Sequence, residues 1–119
     1  MRAAAVIPAY NEASTVGEVV QVASLATLID EVVVVDNAST DDTAAVAGKA
    51  GARVVACSQP GKGQAMAAGV AATDAPVIVF LDADLVGLRP EHVDRLAEAV
   101  LNGRAAMACG LFDRGPLLN

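Results

Sequence analysis

The run Val77-Ile78-Val79-Phe80-Leu81, followed at once by Asp82-Ala83-Asp84, constrains this chain more than any other stretch. An apolar run of strand length, rich in β-branched and aromatic residues, reads as a strand buried on both faces. It stops on two carboxylates separated by one small residue. On an extended backbone, residues two apart point to the same side, so Asp82 and Asp84 converge on one region of space. Like charges held that close raise each other's energy unless a cation or a donor sits between them. Read alone, the pair also fits an acidic loop after a core strand.

The remainder alternates strand and helix. Residues 3–7 form a short apolar strand closed by Pro8, and Ala9-Tyr10-Asn11-Glu12 is a polar loop. Thr15 and Glu18 make a T-x-x-E capping box for a helix with Val16, Val19, Val20 and Ala23 on one face. Glu31–Asp36 holds four consecutive valines, as a strand covered on both faces should. Asn37 to Asp42 is a loop of residues that cap helices well. An alanine-rich helix to about residue 50 and a strand over residues 52–56 follow. The turn Pro60-Gly61-Lys62-Gly63 precedes a helix over about residues 64–72. Beyond Asp84, Pro90 opens a helix with Val93, Leu96, Ala97, Val100 and Leu101 on one face, and Gly103 stops it. Residues 105–111 complete the pattern as a fifth strand. Such alternation predicts an α/β fold: a three-layer sandwich around a mostly parallel sheet, with right-handed crossovers.

At 119 residues, positions 1–119 make a single domain. Hydrophobic residues reach 55% and mean hydropathy is +0.49, but aromatics are only 3%. The core is therefore built from small side chains that bury little area each, and the sheet must be well covered. A net charge of −6 argues against nucleic acid or an anionic membrane as partner. Apolar runs are strand-length, so no membrane span is expected. Pro8 and Asn11-Glu12 cut the first apolar run too short for a signal peptide. Cys57 and Cys109 lie far apart, with no C-x-x-C, and read as small buried hydrophobes in a reduced, cytoplasmic protein.

In a parallel sheet the loops that follow strands emerge along one edge, where ligands bind. That edge collects Tyr10, Asn11 and Glu12, then Asp36, Asn37, Ser39, Asp41 and Asp42, then Gly61-Lys62-Gly63, then Asp82 and Asp84. It holds six of the fourteen acids. Ser39, Asp41 and Asp42 read equally well as helix caps, whereas Asp36, Asp82 and Asp84 end strands. An acidic rim is a poor anion site by itself, but with Mg²⁺ or Mn²⁺ the same carboxylates can hold a diphosphate. Gly61-Lys62-Gly63 is neither a Walker loop nor G-x-G-x-x-G, since Met66 stands where the last glycine would be.

In order along the chain, Val6-Ile7-Pro8-Ala9-Tyr10-Asn11-Glu12, Val34-Val35-Asp36-Asn37-Ala38-Ser39-Thr40-Asp41-Asp42-Thr43, Gly61-Lys62-Gly63-Gln64-Ala65 and Phe80-Leu81-Asp82-Ala83-Asp84-Leu85 resemble the family 2 glycosyltransferases of the GT-A fold. The resemblance covers about residues 3–85. Within that family the chain is most similar to polyprenyl-phosphate sugar synthases and glucosyl-3-phosphoglycerate synthases. It implies the nucleotide-binding half of a GT-A fold and an inverting transfer from a nucleoside-diphosphate sugar, with Mg²⁺ or Mn²⁺ as cofactor. Pro8, Tyr10 and Glu12 would line the nucleotide pocket, Asp36 would accept a hydrogen bond from the base, and Lys62 would sit by the base or phosphates. Asp82 would lie near the ribose and sugar, and Asp84 would ligate the metal of this DXD motif. UDP and GDP donors, the sugar and the acceptor stay open. Family members are longer and carry the acceptor site in their second half, so the chain is expected to be truncated at its C-terminal end. No catalytic residue is assigned: nothing after Leu85 matches a base motif, His92 reads as a surface residue, and Asp113 and Arg114 as a polar tail. Two rival readings are a non-catalytic nucleotide-binding half-domain, prone to homo-oligomerise through an uncovered face, and a haloacid-dehalogenase-like phosphatase using Asp82 as nucleophile.

Overall fold

A computed structural model describes residues 1–103 and 108–110. The elements run β1 (Ala3–Ala9), α1 (Val16–Leu25), β2 (Glu31–Asp36), α2 (Thr43–Lys49), β3 (Arg53–Ala56), α3 (Lys62–Ala71), β4 (Val77–Leu81), α4 (Pro90–Leu101) and β5 (Ala108–Gly110). The strands form one sheet in the order β3-β2-β1-β4-β5, and every pairing is parallel. The α/β expectation is met.

The apolar alternation of the strands supplies two cores. Ala3, Ala5, Ile7, Val32, Val34, Val79 and Leu81 face α1, α2 and α4, with Val16, Val19, Val20 and Ala23 from α1 packed on them. On the other face Val6, Val33, Val35 and Phe80 meet Ala65 and Met66 of α3. Those are the three layers. The α1 stripe is as predicted; on α4, Val93 and Ala97 are buried but Leu101 is 43% exposed.

The chain steps from β1 out to β3 with α1 and α2 on one face, then returns to β4 with α3 on the other. Those crossovers share one hand. The β4–α4–β5 connection does not: β5 lies further in the same direction as β4, yet α4 packs beside α1. The expectation of uniform right-handed crossovers fails at this point. The reason lies in the link after β4, where Ala83, Leu85 and Leu88 are buried in the α1-side core and pull the chain onto that face. Asp94 of α4 then accepts the N–H groups of Thr27 (2.9 Å) and Leu28 (2.7 Å), fastening α4 to the turn before β2.

The first strand runs through Pro8 instead of closing there. Pairing of β1 with β2 continues to Ala9↔Asp36, but pairing with β4 ends at Val6↔Phe80. Past Val6, β1 is flanked only by β2, so a proline without an N–H is tolerated as on an edge strand. The divergence opens a gap between the carboxyl ends of β1 and β4. In this strand order that gap is the topological switch point, where open α/β sheets bind ligands.

Candidate functional site

A cleft of about 610 Å³ occupies the gap. Pro8, Ala9, Tyr10 and Glu12 line it after β1, and Asn37 and Ala38 after β2. Ser58, Pro60, Gly61, Lys62 and Ala65 come from the segment after β3 and from α3, and Asp82, Ala83 and Asp84 from the end of β4. Six of the seven expected binding residues are thus together. Asp36 is not among the lining residues; its carboxylate accepts the Ser39 N–H (3.2 Å) just below. Ser58 and Pro60 gave no signal in the sequence beyond preceding Gly61.

The strand ends at Leu81, and a turn closed by the Leu85 N–H on the Asp82 carbonyl (3.4 Å) carries both aspartates to the cleft, in place of the extended spacing expected. Ala83 and Leu85 are 4% and 1% exposed and anchor that turn in the core. Lys62, the first residue of α3, ion-pairs with Asp82; its side chain is 58% exposed and that of the aspartate 13%. The pair spans the cleft from α3 to β4.

A polar latch joins the loops after β1 and β2. The Asn11 N–H donates to Ser39 Oγ (2.9 Å), and Asn11 Oδ1 accepts the Thr40 N–H (2.8 Å). The Glu12 N–H donates to Thr43 Oγ1 (2.9 Å), while Asp41 accepts the N–H groups of Ala13 (3.3 Å) and Thr43 (3.0 Å). The Thr43 hydroxyl in turn donates to Asp41. The cap reading of this loop therefore needs correction. Asp42 is the N-cap of α2 but makes no side-chain cap bond, Ser39 holds the neighbouring loop, and Asp41 both takes the first N–H of α2 and holds that loop. Asn11 (φ 52°) and Ala38 (φ 60°) both sit in the left-handed region. For alanine that costs about 1–2 kcal/mol, offset by the latch on either side.

Thr43 is fully buried, and its hydroxyl serves both loops. Thr43→Val keeps the shape but strands the Glu12 N–H and one Asp41 acceptor. The expected loss is about 1–3 kcal/mol, seen as a lower urea midpoint with unchanged slope.

Two further expectations fail. Thr15 is the N-cap of α1 but makes no side-chain cap bond; its hydroxyl donates instead to the Ala83 carbonyl at 2.8 Å. Cys57 is only partly buried on the α3 side of the sheet. His92, read as a plain surface residue, accepts the Arg89 N–H through Nδ1 (3.1 Å) and helps open α4. Asp113 and Arg114 lie outside the described residues.

Burial, and then the negative field of Asp84, push the Glu12 carboxyl above its ordinary value of 4.5; Asp41 and Asp82 add to the rise, and a Thr15 hydrogen bond opposes it. Asp30, Glu31 and Asp41 move the other way, chiefly through hydrogen bonds from Arg2, Thr73 and Thr43 respectively. A lowered folded pKa gives stability that is present above the unfolded value and lost as pH falls through the folded one. The fold should therefore weaken below about pH 4.5. A raised pKa acts oppositely, so ionised Glu12 is a liability at neutral pH. Glu12→Gln is expected to raise Tm at pH 7, the difference from wild type closing as pH drops toward 4.5. Melting curves across that range decide it.

Among the described residues no three Asp, Glu, His or Cys side chains gather into a complete metal site. The oxygen donors available at Asp84, Asp82 and Glu12 suit Mg²⁺ or Mn²⁺, which are held by one or two carboxylates and completed by substrate phosphates and water. The residues fit a cation that arrives with a diphosphate.

The family model for glycosyl transferase family 2 matches residues 4–117. The chain belongs to that family. That membership sets the phosphatase reading aside. The chain is 38% identical to glucosyl-3-phosphoglycerate synthase of Mycobacterium tuberculosis over 94% of its own length and 38% of that protein's. A shorter match, 55% identical over 43% of the chain, is to an uncharacterized glycosyltransferase of Mycobacterium bovis. Among solved structures, the M. tuberculosis synthase in complex with Mn²⁺, UDP-glucose and phosphoglyceric acid superposes with a TM-score of 0.79 at 38% identity. That match covers 86% of this chain and 40% of the synthase. The family 2 chain thus spans about two-fifths of the length of the synthase, and the GT-A architecture is shared over that part. No helix among its described residues is long and apolar enough to cross a membrane.

Proposed function

We propose that this chain binds UDP-glucose with Mg²⁺ or Mn²⁺ and forms the donor-binding part of an inverting glycosyltransferase whose acceptor is a phosphoglycerate. One observation carries the reading: Asp82 and Asp84 face Glu12 and Lys62 across a cleft at the switch point of the sheet. The synthase 38% identical to this chain holds UDP-glucose and Mn²⁺, which supports a uridine donor in particular.

In this reading Pro8, Tyr10 and Asp36 recognise the base. The Tyr10 ring, 58% exposed, offers a stacking face. Asp36 accepts from the base while Ser39 holds its direction. Glu12 and Asp82 address the ribose and sugar hydroxyls. Lys62 places a positive charge beside the diphosphate, and Asp84 supplies the metal-binding carboxylate. A divalent metal held at Asp84 would supply the positive charge that favours departure of the nucleoside diphosphate. The chain's net charge of −6 speaks against a nucleic-acid partner, and a cytoplasmic site fits use of a nucleotide sugar.

Thermal stability with UDP and with GDP, each with and without Mn²⁺, tests the reading. Ligand at about 100 times its dissociation constant adds roughly 2.7 kcal/mol. A Mn²⁺-dependent rise with UDP and none with GDP is expected; no rise with UDP would sink the proposal.

A further inference from the structure

The Asp82-Ala83-Asp84 turn is held by a side chain distant in sequence. Ala83 is 4% exposed, so its carbonyl has little access to water and needs a donor within the protein. The Thr15 hydroxyl supplies it at 2.8 Å, across a separation of 68 residues. Glu12 offers rival acceptors for the same proton, its carbonyl at 3.5 Å and its carboxylate, and the Ala83 carbonyl at 2.8 Å is the nearer of the two carbonyls.

Thr15 gives up a local role to do this. A threonine at an N-cap ordinarily bonds an N–H of the first helical turn, worth about 1 kcal/mol. Here there is no such bond, and Thr15 sits at φ −125° and ψ −26° instead of the extended conformation usual for a cap. The Glu12 carbonyl covers the helix start in its place, accepting the N–H groups of Thr15 (3.1 Å) and Val16 (2.9 Å). A broken local rule with a long-range gain marks a position shaped by a site.

We infer that Thr15 is a positioning residue for the D-x-D turn, its hydroxyl fixing the Ala83 peptide and through it the direction of both flanking carboxylates. Asp82 and Asp84 lie on either side of the tethered residue, and rotation about its peptide planes would swing them apart. Thr15 also follows directly from the loop that carries Tyr10 and Glu12. One hydroxyl therefore registers the β1 loop against the β4 loop, the two walls of the cleft. The role in ligand binding rests on the donor-binding reading; the tether itself does not.

The test compares Thr15→Val, which keeps the branched shape without the hydroxyl, with Thr15→Ser, which keeps the hydroxyl. Calorimetry measures UDP affinity with and without Mn²⁺, and hydrogen exchange follows the Ala83 to Leu85 amides in ligand-free protein. Thr15→Val is expected to lose about tenfold in Mn²⁺-dependent UDP affinity, the size of one hydrogen bond. Metal-free affinity should change little, exchange at the turn should quicken, and Thr15→Ser should restore wild-type behaviour. Equal losses with and without metal, or a serine variant as weak as valine, would overturn the positioning role. So would wild-type exchange at the turn in Thr15→Val. If wild type itself shows no Mn²⁺-dependent UDP binding, the functional reading falls and takes the ligand role with it. Hydrogen exchange then decides the tether alone.

Discussion

Asp84→Ala should abolish the metal-dependent part of nucleotide binding while leaving the fold standing. The side chain lines the cleft and is not part of either core, so its removal creates no cavity. It also contributes to the negative field that raises the Glu12 carboxyl. Truncation relieves that repulsion, and the ligand-free variant should still fold cooperatively. With UDP and Mn²⁺ the two proteins should differ. Wild type gains roughly 2.7 kcal/mol at a ligand excess of about 100-fold, several degrees in a domain of this size. The variant, lacking the carboxylate proposed to hold the cation, should show almost none of that gain. UDP without metal should affect both proteins alike. A substantial Mn²⁺-dependent shift in Asp84→Ala would move the metal role to Asp82 or Glu12.

The rim of acids after each strand was legible because it depends on local order. A strand that ends in carboxylates places them at the sheet edge whatever the rest of the fold does, and parallel topology puts all such edges together. The motifs around Pro8, Asp36, Lys62 and Asp84 lie in the loops that parallel topology gathers at one end. What sequence could not disclose is where hydroxyls point. Thr15 in T-x-x-E has every mark of a local cap, yet an acceptor 68 positions away competes for its proton. Asp41 looks like a cap and does take the first N–H of α2, but its other oxygen also clamps the neighbouring loop. The departure of β4 from β1 past Val6, which makes the cleft and excuses Pro8, is a property of the assembled sheet. So is the face chosen by α4, decided by Leu85 and Leu88 in a link that carries no periodic pattern.

Gly69 is where a single methyl should do the most damage to the fold. A Cβ built there would run into Cγ1 of Val6 and approach Cγ2 of Val35 to 3.1 Å, so α3 lies against β1 and β2 with no room for a side chain. Neither neighbour can step aside cheaply. Both valines are fully buried on inner strands, and β-branched residues have few alternative rotamers. Alanine gains about 1 kcal/mol of helix propensity over glycine, against an overpacking cost of about 1–3 kcal/mol in a close-packed core. The net effect of Gly69→Ala should be a Tm several degrees lower, since each kcal/mol moves a small domain by about 4–8 °C. Gly69→Val adds two more methyl groups to the same collision and should not yield folded protein. The damage also reaches the site, because α3 begins with Lys62 and pushing the helix outward draws its ammonium away from Asp82. Gly69→Ala should therefore weaken UDP binding even below its melting transition. A variant as stable as wild type, with intact UDP binding, would mean that α3 has freedom to slide on the sheet. The cleft would then have one movable wall.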